Sequence, residues 1–158
     1  MQNSRDYWSR MKPAQNLHRS LYAVGLGPIV GKIILLLTTT GRKSGLPRVT
    51  PLQYECIDGD YYLGAARGLH ADWVRNIQAD SRVSVRVKRL CFDGKAEIIT
   101  EVSKIADFLE VRLQRHPLMV GMMMERMHHL SKKPTRQQLE TLAQDEALVI
   151  IRRQNEPD

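Results

Sequence analysis

The sequence predicts a mainly β fold of the α+β class, in which about six short antiparallel strands form a closed or nearly closed barrel. Short β-branched or alternating segments follow one another closely between residues 32 and 100. One helical pattern interrupts this series, and the other helical patterns lie towards the two ends of the chain. A last apolar run near residue 150 can rejoin the sheet, which leaves the helices at the edges of the barrel.

The 158 residues have the length of one domain, which we assign to 1–158. Within it we expect an N-terminal helical segment in 1–30, a barrel core in 31–100, a helical segment in 101–146 and a final strand in 147–153. Hydrophobic residues make up 42% and charged residues 26%, which is typical of a globular protein.

Charge and cysteine content limit the partners and the compartment. Lys and Arg number 24 against 17 Asp and Glu, and the net charge of +7 favours nucleic acid, an anionic lipid surface or a polyanionic small molecule. Cys56 and Cys91 fall in predicted strands and are interpreted as small reduced core residues, consistent with the cytoplasm. The first residues lack the apolar stretch of a signal peptide, and no apolar run is long enough to cross a membrane.

The N-terminal segment is predicted to contain an amphipathic helix, because Leu17, Leu21 and Val24 share helical spacing. We expect its apolar stripe to cover a barrel opening or a neighbouring subunit, and membrane association is the less favoured alternative. The first strand is predicted at Lys32–Thr39, where apolar and β-branched residues are concentrated.

The next strands are predicted at Arg48–Ile57 and Asp60–Ala65, joined by a hairpin turn at Asp58-Gly59, where both residues tolerate positive φ. A short helix follows, with Asp72 as its N-cap and its end at Ala79. Alternating residues at 83–88 and 90–100 then predict two more strands, so that five strands form a meander with one inserted helix.

The C-terminal part is predicted to contain three helices and a sixth strand. Apolar spacing predicts helices over Ser103–Arg115 and Leu118–Leu130, the second rich in methionine and typical of a core or dimer interface. Thr135 and the glutamine three residues later resemble a capping box for a helix that ends at Leu142. The final strand is predicted at Ala147–Arg152.

The first two strands enclose a glycine-bracketed cationic turn, GRKSG, at residues 41–45. The glycines allow a close turn, and Arg42, Lys43 and Arg48 place three positive charges at one tip. Such a tip can receive phosphate or carboxylate groups, and the alternative is a solvated hairpin turn that happens to be basic. If the first three strands are adjacent, Arg67 approaches the same end of the barrel.

The short inserted helix is a second candidate, because a helix N-terminus presents free N–H groups and Trp73 can stack on a flat heterocycle. The alternative is a core tryptophan with Arg75 and Asn76 in solvent. No histidine or cysteine spacing fits a metal site, so none is predicted, and the serine-hydrolase, dinucleotide-binding and P-loop motifs are missing from the sequence.

Three segments in this order, TTTGRKSGLPRVTPL, DGDYYLGAARG and ADWVRNIQADSRVSVRV, resemble the deazaflavin-dependent nitroreductase family over Leu35–Ile99. The resemblance implies a split β-barrel, a barrel core that binds the cofactor, and an oxidoreductase that uses coenzyme F420, a flat hydride carrier with a phosphate and an oligoglutamate tail. The implied reaction transfers a hydride between F420 and an electron-poor enone, quinone or nitro compound. This anionic cofactor suits the positive charge of the chain.

The resemblance also implies cofactor-binding positions. The phosphate and tail would be held by Arg42, Lys43, Ser44 and Arg48, and the ring pocket would be lined by the backbone of Val49, Thr50 and Pro51. The ring and phosphate would be faced by Gly64, Ala65, Ala66 and Arg67. The site would be closed by Asp72, Trp73, Val74, Arg75 and Asn76. No residue is identified as an obligate catalytic acid, and the proton source is left open between Tyr54, Tyr61, Tyr62 and water.

Other functions remain as alternatives. A related barrel reductase would use FMN, which lacks the oligoglutamate tail, and a non-catalytic barrel would carry a cofactor, haem or lipid. A nucleic-acid binder ranks last, because aromatic residues are only 6% and none alternate with basic residues as stacking platforms would. The methionine-rich face also favours a homodimer.

Overall fold

The computed structural model describes residues 33–154, so the predicted N-terminal helical segment lies outside the described residues. The described chain contains β1 (Ile34–Thr40), β2 (Pro47–Gln53), β3 (Glu55–Ile57), β4 (Asp60–Ala65), a 3-10 turn (Gly68–His70), α1 (Asp72–Ala79), β5 (Arg82–Val87), β6 (Leu90–Ile99), α2 (Val102–Arg115), α3 (Pro117–His128), α4 (Arg136–Ala143) and β7 (Ala147–Arg153). Thr135 and Gln138 form the predicted capping box at the start of α4.

The seven strands form one antiparallel sheet in the order β2-β1-β5-β6-β7-β4-β3. Its two edge strands, β2 and β3, are separated in the chain by Tyr54 alone. A sheet whose opposite edges are joined by one residue must curl until those edges meet. The prediction of a split β-barrel with an inserted helix is therefore confirmed.

Two details of the predicted strands are wrong. The second predicted strand is divided at Tyr54 into β2 and β3, which gives seven strands where about six were expected. The strands also do not form a meander, because β1 pairs with β5 while β4 pairs with β3 and β7. The crossover through α1 carries the chain across the barrel, and β7 occupies the place between β4 and β6.

Two hydrophobic clusters hold this arrangement together. The first fills the inside of the barrel with the inward side chains of its strands and with Trp73, Val74 and Ile77 of α1. The second lies between the outer face of the sheet and α2–α4, and includes Leu148 and Ile150 of β7. Since β7 is covered on both faces, it reads as a continuous apolar run rather than an alternating one.

The cysteines are not core residues, and that interpretation is wrong. Cys56 and Cys91 are both free and exposed. Phe92, the neighbour of Cys91, belongs to the barrel interior, so the period of two directs the thiol of Cys91 to the outer surface. Cys56 lies in the three-residue strand β3 at the edge of the sheet, where it pairs with Tyr61 and remains exposed, while its neighbour Glu55 is buried on the opposite face against α2. In residues 33–154 no helix has the length and apolarity that a membrane span requires.

Candidate functional site

The cationic turn between β1 and β2 is closed by its own backbone. The amide of Gly41 donates to the carbonyl of Leu46 at 2.8 Å, and the amide of Gly45 donates to the carbonyl of Gly41 at 2.7 Å. Gly45 has φ +67°, in the left-handed region that favours glycine. The hydroxyl oxygen of Ser44 accepts from the amide of Leu46 at 3.2 Å, so the exposed Ser44 also stabilises the turn.

Asn76 fastens this turn to helix α1. Its Oδ1 accepts from the backbone amide of Arg42 at 3.2 Å and from Nη1 of Arg42 at 3.0 Å. Its Nδ2 donates to Oγ1 of Thr39 at 3.1 Å. Asn76 is 5% exposed and Thr39 is fully buried, so this network joins β1, the turn and α1 where water cannot replace a lost partner.

Asp72 is not the N-cap of α1, and that prediction is wrong. Ala71 occupies the N-cap with an extended backbone, and Asp72 is the first helical residue. Its carboxylate accepts from Nη2 of Arg42 at 2.9 Å. This hydrogen bond and the charge of Arg42 hold the pKa of Asp72 below its ordinary value, and the charges of Arg75 and Arg67 contribute in the same direction.

Since the charges of Arg42, Arg67 and Arg75 all lower the pKa of Asp72, Arg67 lies at the same end of the barrel as Arg42, but for a reason other than strand adjacency. β1 and β4 are not paired, and α1 makes the connection instead. Lys43 lies in the turn, and the side chain of Arg48 passes beside Gly41. Within residues 33–154, Lys43, Arg48, Arg67 and Arg75 are exposed and make no ion pair, and we call these four residues the cationic cluster.

The residues predicted to face the ring lie on β2 and at the end of β4. Val49 and Thr50 are half-buried, and Pro51 is exposed. Ala65 is buried in the barrel, whereas Gly64 and Ala66 are exposed. A Cβ on Gly64 would lie 3.3 Å from Cε1 of Phe108 on α2, so a larger residue would crowd this surface. Helix α2 therefore approaches this face of β4 closely, and the glycine at position 64 leaves free the space that a side chain would occupy.

In helix α1, the structure favours a core position for Trp73 over the alternative in which it stacks on a ligand. Trp73 is 9% exposed and Val74 is fully buried, and both belong to the barrel interior. Asp72 and Arg75 are the exposed residues of its first turn. In this arrangement α1 offers main-chain atoms and Arg75 to a ligand. Its role in closing the site stays a prediction.

The candidate proton donors divide between the two faces of the sheet. Tyr54 and Tyr61 pack against the barrel interior, with ring centroids 5.7 Å apart, and burial is the largest cause that raises the pKa of each. Tyr62 lies on the outer face, where its ring stacks on Phe108 at 6.2 Å. All three remain untested candidates. In the part of the chain that the structure describes, no three His, Cys, Asp or Glu side chains gather as metal ligands.

The sequence reasoning missed two buried polar features. Thr39 was assigned only to a strand, although it is the partner of Asn76 inside the barrel. Glu55 is 5% exposed and faces Arg112, Arg115 and His116, which lie 3.7, 3.4 and 3.0 Å away. Both could have been noticed in the sequence, because Thr39 and Glu55 are polar residues at strand positions where an apolar residue is expected.

Comparison with known proteins decides the family. The F420H2-dependent quinone reductase family matches residues 10–119, a range that contains the turn, the cationic cluster and α1. The chain belongs to this family. The predicted membership of an F420-dependent family is confirmed. The protein is therefore an oxidoreductase, specifically a reductase, and its cofactor is coenzyme F420.

Solved structures of similar fold support the architecture. An F420H2-dependent reductase is 24% identical, with 75% of this chain and 93% of that chain covered and a TM-score of 0.51. A domain-swapped dimer is 19% identical, with 89% and 100% covered and a TM-score of 0.52. HutZ, the haem storage protein of Vibrio cholerae, is 16% identical, with 82% and 88% covered and a TM-score of 0.52. At these identities the similarity shows the fold alone.

The site fits the cofactor on chemical grounds. Four exposed cations without ion pairs within residues 33–154 form the cationic cluster, and a phosphate followed by an oligoglutamate tail carries several negative charges. The small residues Gly64 and Ala66 leave an exposed surface at the end of β4 for a flat ring.

Proposed function

We propose that the protein reduces a small electron-poor acceptor, an enone, a quinone or a nitro compound, at the expense of reduced F420. The observation that carries this proposal is the family match over residues 10–119, which contains every residue of the cationic cluster. Bound reduced F420 supplies the hydride, and the protein supplies binding and orientation.

In this proposal the cationic cluster holds the phosphate and the oligoglutamate tail. Lys43 belongs to the turn and Arg48 to the start of β2, whereas Arg67 precedes the 3-10 turn and Arg75 lies on α1. Arg42 is different, because Asp72 and Asn76 already engage its guanidinium. We infer that Arg42 chiefly keeps the turn and α1 together, so that the four exposed cations converge.

The residues proposed to face the ring would bind it through the shape of the surface that they form. The backbone of Val49, Thr50 and Pro51 would line one side of the ring, and Gly64 and Ala66 would leave room for its face. No charged side chain at these positions can serve as an obligate acid. The proton that follows the hydride would therefore come from water or a tyrosine, and rate enhancement would rest on positioning.

The charge of the site favours F420 over FMN and over a carrier function. One phosphate needs fewer partners than the four exposed cations of the cluster provide, whereas an oligoglutamate tail adds a carboxylate at each residue. FMN reduction and simple storage of a cofactor, haem or lipid fit the family match and the charge of the site less well. Nucleic-acid binding has no support beyond the net charge of +7.

The test is a turnover assay with reduced F420 and, in parallel, reduced FMN, using a quinone, a cyclic enone and a nitroarene as acceptors. We expect acceptor-dependent oxidation of reduced F420 by the full chain. Arg67→Gln should raise KM for reduced F420 about tenfold at low salt, because it removes charge-assisted hydrogen bonds. Lys133→Gln, at an exposed cation between α3 and α4, is the matched control. Turnover with FMN alone, or binding of F420 without turnover, would refute the proposal.

We also propose that the protein is a cytoplasmic homodimer. Leu46 and Leu69 are 59% and 43% exposed, and they flank the cationic cluster on the turn and on the 3-10 turn. In the proposed dimer these two leucines would lie in the interface, where burial of their side chains would stabilise association. The two free, exposed cysteines fit a reducing compartment. Light scattering should give twice the chain mass, and Leu46→Gln should lower it. A monomer mass at micromolar concentration would contradict the dimer.

A further inference from the structure

A cavity lies on the outer side of the molecule, against helix α3. Its volume is about 300 Å³, and it is lined by Gln53, Arg112, Met119, Val120, Met122, Met123, Arg126 and Met127. We call it the methionine groove. It touches β2 at Gln53, whereas the cationic turn meets β2 at Pro47. Seven residues of strand place the two ends about 20 Å apart, whereas Pro51, which is proposed to line the ring, is two residues from Gln53.

The lining combines an apolar surface with positive charge. Four methionines provide flexible, polarisable walls that fit flat or irregular ligands and make favourable contacts with aromatic rings. Among the described residues, the lining contains two arginines and no acidic residue. A cavity of this size can hold a small organic molecule but not a peptide helix.

Arg112 is held at the groove by a fixed set of partners. It is 8% exposed, its Nη2 donates to Oε1 of Gln53, and its Nε lies 3.7 Å from Oε1 of Glu55. Glu55 also faces Arg115 at 3.4 Å, so one carboxylate is shared between two arginines. Burial raises the pKa of the neighbouring Glu146 to about 7, so near neutral pH this carboxyl is only partly ionised.

Arg126 adds a second charge at the rim of the groove. It is exposed, and within the described residues it makes no ion pair, since Glu125 pairs with Lys132 instead. The groove therefore has a surplus of positive charge above an apolar floor. That combination is complementary to a molecule with an aromatic body and one negative group.

We propose that the methionine groove binds a small aromatic anion with about two rings, such as an aryl carboxylate. The family match ends at residue 119, so most of α3 lies beyond it. Five of the eight lining residues lie beyond the matched segment, and Gln53, Arg112 and Met119 lie within it. Probe binding is measured without turnover, so its outcome is separate from that of the proposed reductase activity.

The test uses the full chain and the fluorescent aromatic anion 1-anilinonaphthalene-8-sulfonate as the probe. We expect saturable binding of one probe per chain, displaced by naphthalene-2-carboxylate and at least about tenfold more weakly by the neutral naphthalene-2-methanol. Arg126→Gln and Met123→Gln should each weaken probe binding about fivefold to tenfold. F420 binding should be unchanged in both variants.

Two matched controls separate the groove from general surface binding. Leu118→Gln removes an apolar side chain of α3 that is 83% exposed and does not line the groove, and Lys133→Gln removes a nearby cation. Both should bind the probe as the wild type does. The proposal is overturned by equal displacement by the carboxylate and the alcohol, by equal loss in the controls, or by no saturable binding. A groove variant that changes the oligomeric mass also overturns it, because a second copy would then cover the groove.

Discussion

Replacing Asn76 by alanine should destabilise the fold and loosen the cationic turn together. The side chain makes three hydrogen bonds, to the backbone and guanidinium of Arg42 and to the hydroxyl of Thr39. Asn76 itself is 5% exposed and the hydroxyl of Thr39 is in the barrel interior with 0% exposure. Losing bonds of about 1 kcal/mol each, and leaving a buried hydroxyl without its partner, adds to about 2–4 kcal/mol.

Urea denaturation at neutral pH measures this loss, and a thermal scan should show Tm lower by about 5–15 °C for a domain of this size. Gln78→Ala is the matched control, because Gln78 is an exposed amide on the same helix. It should change the free energy of unfolding by less than about 0.5 kcal/mol.

The network also predicts non-additivity. Thr39→Val removes the hydroxyl while keeping the shape, so the double variant Thr39→Val, Asn76→Ala should be less destabilised than the sum of the single variants by about 1 kcal/mol. Additive single effects, or an Asn76→Ala loss no larger than that of Gln78→Ala, would refute the reasoning that Asn76 holds the turn to α1.

Three further predictions concern the scaffold. Burial raises the pKa of Glu146 from its ordinary 4.5 to about 7. Between these pH values the folded state keeps the proton of Glu146 and the unfolded state loses it, so the free energy of unfolding falls as the pH rises. Glu146→Gln should therefore exceed wild type in stability by up to about 3 kcal/mol at pH 8 and match it at pH 4, and equal stability at both would contradict this. Gly68→Ala should cost about 2–4 kcal/mol in urea denaturation, because φ is +54° and a Cβ would meet the carbonyl oxygen of Asp145 at 2.6 Å, while Gly59→Ala, at φ +87° with open space, should cost about 1 kcal/mol. Thr135→Ala should lower stability by about 1 kcal/mol through loss of the capping box, and a change below about 0.3 kcal/mol would argue against that cap.

Local chemistry predicted most elements but not their pairing. The hairpin at Asp58-Gly59, the helix to Ala79 and the capping box at Thr135 follow from neighbouring residues and agree with the structure. The place of β7 between β4 and β6 depends on contacts across more than eighty residues of chain, which no local pattern encodes.

The candidate site shows the same division. The cations of the turn could be identified from their spacing and from the family resemblance, whereas the partners of Arg42 could not. Arg42 and Asn76 are 34 residues apart in sequence, and only the crossover through α1 brings them within hydrogen-bonding distance. The thiol of Cys56 was placed in the core because cysteines in strands are usually buried, whereas the position of β3 at the edge of the sheet leaves it exposed.

The most direct test of the account is the affinity for F420 compared with the same deazaflavin lacking the phosphate and oligoglutamate tail, followed by protein fluorescence. We expect the wild type to prefer intact F420 by at least about a hundredfold at low salt, and the preference to fall to less than about tenfold when Lys43, Arg48, Arg67 and Arg75 are all changed to Gln. Changing four exposed cations outside the cluster, Lys88, Arg89, Lys95 and Lys133, to Gln controls for net charge. A preference that survives in the cluster variant, or that falls equally in the control, would contradict the claim that the cationic cluster holds the tail.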